Sequence, residues 1–121
     1  DIKHLKRLVE KVAPLVQAIS SINTIPGKII DTNGNPALTA GRISSGTCGV
    51  PVKWAGLDMV KRLKKLHEEF GYSFTIIGVG GVMNAEDFQE YRNAGADIIM
   101  SATGAMWNPY LAKEIKSRSR L

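Results

Sequence analysis

Apolar positions along the chain follow two periods. Leu5, Leu8, Val9 and Val12 recur at helical spacing with lysines on the opposite face, and Pro14 ends or kinks that helix. Leu57, Val60, Leu63 and Leu66 or His67 repeat the pattern across 56–70, with Gly71 as the C-terminal stop. A third helix spans 84–94: Asn84 is its N-cap, Glu86 and Asp87 suit the dipole, and Phe88, Tyr91 and Ala94 form the apolar face. Gly95 ends it. Between the helices stand three short runs, 18–24, 74–77 and 96–100. The last two are rich in β-branched residues and close on glycine or small residues, so all three read as buried parallel strands. Asn108-Pro109 reads as N-cap and first position of a closing helix whose end is basic, through Lys113, Lys116, Arg118 and Arg120.

The predicted order is α, β, long loop, α, β, α, β, α. The long stretch 25–55 carries turn chemistry at Gly27, Asp31-Thr32-Asn33-Gly34, Pro36 and Gly41. Asn33-Gly34 between apolar residues suits a small hairpin, with Asp31 as the residue that starts the turn. A connection this long inside a compact domain points to function or disorder. It closes on the small residues Ser44-Ser45-Gly46-Thr47-Cys48-Gly49, ahead of the second helix.

Two glycine-bearing turns hold the candidate chemistry. Gly78-Val79-Gly80-Gly81 follows one strand and Ala102-Thr103-Gly104-Ala105 follows the next. In a βαβ unit these loops lie side by side at the strands' C-terminal ends and present bare backbone N–H groups to an anion, most often a phosphate. Three parallel strands cannot close a barrel, and a complete (β/α)8 barrel takes about 250 residues. The chain starts at Asp1 in what reads as mid-helix. The expected fold is therefore α/β, with residues 1–121 the C-terminal part of a single (β/α)8 barrel domain whose N-terminal strands lie outside this chain.

Composition narrows the partners. The formal net charge of +5 is spread over helix faces without interleaved aromatics, which reads as solvated surface and not as a nucleic-acid patch. Cys48 is the single cysteine, so no internal disulfide forms and a reducing, cytoplasmic setting is expected. No run is long and apolar enough to cross a membrane. His4 and His67 have no partner at metal-ligand spacing, so no metal is expected. Met83 and Met106 read as packing residues, and Trp107 as either a partner-facing aromatic or a cap on the closing helix.

The chain resembles the last three β/α units, about strands 6–8, of the dihydroorotate dehydrogenase family, FMN enzymes on a TIM (β/α)8 barrel. It is most similar to the branch that passes electrons to NAD through a partner subunit, and to the dihydropyrimidine dehydrogenase domain. The landmarks run in order: Ile22-Asn23-Thr24, Gly27, Ile30-Asp31, Pro36, Ser45-Gly46-Thr47-Cys48-Gly49, Lys53, Gly78-Val79-Gly80-Gly81, Ala94-Gly95-Ala96, Thr103 and Asn108-Pro109. Ser45 stands where the family usually has glycine, Cys48 where serine is common and Trp54 where proline is common. Ala102 and Gly104 exchange the residues that normally flank the threonine.

The resemblance implies FMN as cofactor, held by Gly46, Gly80, Gly81, Ala102 and Thr103. It implies a dihydropyrimidine substrate at Asn23 and Thr24, with dihydroorotate oxidised to orotate in pyrimidine biosynthesis. Asn23 is suitable in its own right, because a carboxamide offers donors and acceptors to a pyrimidine edge. The catalytic base is expected in the missing N-terminal part, so no catalytic residue is assigned, and Cys48 reads as a packing residue beside the cofactor loop. Implied partners are the remaining N-terminal half of the barrel, a second copy in a homodimer and an electron-transfer subunit. Rival readings keep the phosphate turns but bind another ligand, as in inosine-monophosphate dehydrogenase-like or phosphosugar barrels, or treat the chain as a non-catalytic barrel fragment.

Overall fold

A computed structural model describes residues 1–39 and 41–118. Helix α1 (Ile2–Val12) starts on Asp1, whose carboxylate accepts from the Lys3 N–H at 2.9 Å, and Pro14 turns its end into a 3₁₀ turn. Strand β1 (Ala18–Ser21) follows, then β2 (Ile25–Lys28) and β3 (Ser44–Thr47). Helix α2 (Lys53–Phe70) stops at Gly71 in the left-handed region, φ 66°. Strand β4 (Thr75–Val79) leads to α3 (Ala85–Ala94), where Asn84 accepts from the Asp87 N–H and Gly95 closes the helix at φ 107°. Strand β5 (Ile98–Met100), the short α4 (Thr103–Trp107) and α5 (Leu111–Arg118) complete the described chain. Arg120, the last basic residue assigned to the closing helix, lies outside the described residues.

Strands β1, β4 and β5 form one parallel sheet in chain order, with Ser21 opposite Gly78 and Gly78 opposite Ile99. Each new parallel strand is laid on the same side of the last. That is the winding of a barrel wall, whereas a doubly wound sheet reverses direction at a switch point. Val9, Val60, Leu63, Leu66, Phe74, Ile76 and Tyr91 form the core between sheet and helices, with Ile19 and Ile99 packed against it. The alternate positions Ile98 and Met100 are 49% and 52% exposed. The sheet thus buries one apolar face and leaves apolar residues on the other, as a barrel wall does where its interior is not filled.

Several sequence expectations are corrected. The first strand ends at Ser21, not Thr24, because its ladder with β4 ends at Gly78; Asn23 and Thr24 carry the chain from the sheet into β2. The stretch 25–55 is not all loop: β2 and β3 pair antiparallel, Pro26 opposite Gly46 and Gly27 opposite Ser45. The Asn33-Gly34 turn forms as expected, with the Asp31 carboxylate accepting from the N–H groups of Asn33 and Asn35 and Ile30 bridging Pro36. Helix α2 begins at Lys53, three residues before the expected start. The turn after β5 winds into the five-residue α4. Leu66 is buried while His67 meets Phe74 edge to face at 5.3 Å, and Leu8 is half exposed. Asn108 accepts from the Tyr110 N–H, but the closing helix begins at Leu111 and not at Pro109, while Trp107 ends α4 and is 80% exposed.

Candidate functional site

The C-terminal ends of the three parallel strands open on a cavity of about 300 Å³. Asn23 and Thr24 reach it after β1, Gly80 and Gly81 after β4, and Ala102 and Thr103 after β5. Six of the seven residues singled out from the sequence therefore share one space. Gly46 does not line it. It stands behind Thr24, where a Cβ would lie 2.5 Å from the threonine Oγ1, so this glycine is required by the close approach of β3 to Thr24. Cys48 lines the cavity too, but it is exposed, contrary to the packing role expected for it. Its Sγ accepts from the Thr103 hydroxyl at 3.7 Å, and Gly49, at φ 76°, sits against the Thr103 methyl. A second cavity of about 310 Å³ between α3, β5 and α5 is lined mostly by apolar residues such as Val82, Phe88, Ile99 and Leu111, with Ser101 and Lys116 also on its wall.

The glycine turn after β4 is held from behind at three points. The buried Tyr91 hydroxyl donates to the Gly80 carbonyl at 2.7 Å. Ser101 Oγ donates to the Val82 carbonyl at 2.7 Å, and Asp87 Oδ2 accepts from the Met83 N–H at 2.8 Å. These bonds engage the carbonyls of Gly80 and Val82. The N–H groups of Gly81 and Val82 have no protein acceptor among the described residues. Gly81 lies at φ 69°, and a Cβ there would stand 2.7 Å from Lys53 Cβ and 2.9 Å from the Gly49 carbonyl. Free N–H groups on a turn with no side chain in the way make a binding surface for an anion.

Sequence reading missed the residues that hold this turn. Tyr91 reads as apolar face, Asp87 as one of two acids suited to the dipole, and Lys53 as a landmark without a role. In the structure Lys53 Nζ bridges Asp87 Oδ1 at 2.5 Å and Glu90 Oε1 at 2.9 Å. Hydrogen bonding to Asp87, and then to Glu90, raises the lysine pKa above its usual value. Asp87 is 8% exposed, which suits a carboxylate that is both paired and hydrogen-bonded. The one signal in the sequence is the i, i+4 spacing of Asp87 and Tyr91 on a helix that directly follows a glycine turn.

Burial pushes the Tyr91 phenol up to about 12. A raised phenol favours the neutral folded form, so this contribution is whole below pH 10 and is lost as pH climbs from about 10 toward 12. Following phenolate absorbance against pH should show one tyrosine ionising late, together with the onset of alkaline unfolding. That late step should vanish in Tyr91→Phe; its persistence would assign it to another tyrosine.

Among the described residues no group of three or more His, Cys, Asp or Glu is arranged to hold a metal, and no helix is long and apolar enough to cross a membrane. A family model described as dihydroorotate dehydrogenase matches residues 1–119. A dihydroorotate dehydrogenase of Dictyostelium discoideum is 40% identical over 114 residues, covering 93% of this chain and 31% of its own length. The catalytic subunit of dihydroorotate dehydrogenase B (NAD(+)) from Desulforamulus reducens is 35% identical over 115 residues, 95% of this chain and 35% of the relative. The crystal structure of an Eimeria tenella dihydroorotate dehydrogenase in complex with ferulenol superposes with a TM-score of 0.73 at 17% identity, over 97% of this chain and 30% of that one, and so shares the fold. The chain spans about a third of the length of these relatives. With its family model matched almost end to end, the chain belongs to the dihydroorotate dehydrogenase family.

Proposed function

We propose that residues 1–121 supply about strands six to eight of one (β/α)8 barrel that binds FMN and oxidises dihydroorotate to orotate in pyrimidine biosynthesis. The observation that carries this reading is the turn at Gly80-Gly81, with the Gly80 and Val82 carbonyls tied back and the Gly81 and Val82 N–H groups free, on the cavity that Asn23 also lines. The turn fits the phosphate of FMN: Gly81 admits no Cβ, and the two free N–H donors suit phosphoryl oxygens. FMN, when bound, would supply the two-electron acceptor that the protein itself lacks. Gly80 and Gly81 would hold its phosphate, with Ala102 and Thr103 across the cavity taking the same phosphate and the ribityl chain.

Asn23 and Thr24 would hydrogen-bond the pyrimidine, the carboxamide of Asn23 meeting donor and acceptor positions on the ring. Gly46 serves the same contact by letting Thr24 pack closely against β3. No residue of this chain is assigned as the base; that group belongs to the N-terminal units of the barrel. Those units are the first proposed partner, followed by a second copy in a homodimer and an electron-transfer subunit, all in the cytoplasm.

The test co-expresses the chain with the N-terminal two thirds of a dihydroorotate dehydrogenase and adds dihydroorotate without oxygen. The reading predicts a flavin-coloured complex whose visible absorbance bleaches. A colourless complex that binds a nucleotide or sugar phosphate would transfer the site to a different phosphate-binding barrel enzyme.

A further inference from the structure

We propose that α3 acts as a clamp that sets the anion selectivity of the glycine turn, with Asp87 and Tyr91 as positioning residues and Lys53 as the counter-charge that holds Asp87. The inference rests on the phosphate reading of that turn given above. Asp87 and Tyr91 stand one helical turn apart on α3 and grip the preceding loop at two points. Tyr91 takes the carbonyl of Gly80, and Asp87 takes the N–H of Met83. The N–H groups of Gly81 and Val82, the two left free, lie between those grips. The Gly80 carbonyl shares its peptide plane with the free Gly81 N–H, and the Met83 N–H lies in the plane after the one that carries the free Val82 N–H. The two grips therefore set the direction of both donors, and with it whether they converge on one anion.

The clamp is braced across the chain. Lys53, the first residue of α2, pairs with Asp87 and Glu90, while its Cβ forms the floor under Gly81. The Tyr91 ring lies against Gly78 and Gly56, where a Cβ on Gly78 would come within 2.5 Å of its Cδ1. The ring is thus fixed by contacts that leave its hydroxyl one strong acceptor, Gly80. None of these side chains lines the cavity, so none touches the bound anion. Their effect reaches it only through the backbone of the turn.

A positioning role makes a specific demand. Loss of the clamp should weaken a phosphorylated flavin much more than the same flavin without its phosphate. The experiment measures dissociation of FMN and of riboflavin from the co-expressed complex by flavin fluorescence, for the unaltered protein and for Asp87→Asn and Tyr91→Phe. Tyr91→Phe removes a single hydroxyl and keeps the ring, so it guards against a variant that fails to fold. The expected result is a fall of about tenfold in the preference for FMN over riboflavin in either variant, the scale of one lost charge-assisted or buried hydrogen bond, with riboflavin affinity changed by less than about twofold. Equal weakening of both flavins, or no change in either, would overturn the clamp and leave α3 a structural support. An unaltered complex that binds flavin but does not prefer FMN would overturn the phosphate reading itself, a different outcome from failure of the clamp.

Discussion

Gly56→Ala should destabilise the chain by about 1–2 kcal/mol, although the substitution suits a helix. Gly56 lies inside α2, where propensity alone favours alanine by about 1 kcal/mol. Packing reverses the sign. A Cβ at this position would collide with the Tyr91 hydroxyl and stand 2.6 Å from the Val79 carbonyl. Overpacking of that kind typically costs about 1–3 kcal/mol, and here one of the offended groups, the Tyr91 hydroxyl, holds the glycine turn. Removing the hydroxyl in Tyr91→Phe leaves 2.6 Å to Val79 O and 3.1 Å to the ring carbon Cζ, so relief should be partial. Urea unfolding of both single variants and the double should give a coupling energy of about 1–2 kcal/mol. A Gly56→Ala chain more stable than its parent would show that α2 does not approach Tyr91 this closely.

Gly81→Ala should abolish flavin retention. The left-handed backbone costs an alanine about 1–2 kcal/mol, and the new Cβ meets Lys53 Cβ and the Gly49 carbonyl at 2.7 and 2.9 Å. Both neighbours are close to backbone, so neither can swing aside as the end of a long side chain would. The turn must open, and the free N–H donors of Gly81 and Val82 are then displaced from their native positions. FMN affinity should fall by about a hundredfold or more, the equivalent of about 3 kcal/mol. Gly34→Ala is the matched control. Gly34 also lies at positive φ, 85°, but nothing stands within 4 Å of its Cβ position. That variant should show only the backbone cost and keep its flavin. Equal flavin loss in both variants would point to general unfolding; full occupancy in Gly81→Ala would remove this turn from the phosphate site.

The parts of the fold legible in the sequence are those in which side-chain periodicity and burial coincide. Leu63, Leu66 and Ile76 announce α2 and β4 by their spacing, and Asn84, Gly71 and Gly95 mark helix ends through caps that act locally. The β2–β3 ribbon is not legible. Its ladder runs through Ile-Pro-Gly-Lys and Ser-Ser-Gly-Thr, stretches that turn chemistry dominates and hydrophobic alternation does not mark. Helix α4 is hidden for a related reason: five residues containing glycine carry too little period to read.

At the site the division is similar. Glycine turns advertise a bare backbone, so Gly80, Gly81, Ala102 and Thr103 group together on their residue types and spacing alone. What holds them does not show in the same way. Glu86 and Asp87 look alike in sequence, yet Asp87 alone is buried and bonded to Met83 and Lys53, because the helix register turns it toward the loop. Tyr91 announces its ring as core, but its hydroxyl finds a use only where the chain returns to Gly80, 11 residues earlier. Gly46 shows the converse. A glycine in a small-residue loop suggests contact with a ligand, whereas this one is required by Thr24.

The most direct measurement is the visible absorption spectrum of the chain purified in complex with the N-terminal barrel units, with the flavin then released and identified. Flavin bands and one FMN per chain are the expected result. A colourless complex of the correct mass, or one carrying flavin without a phosphate, would contradict FMN binding at the Gly80-Gly81 turn.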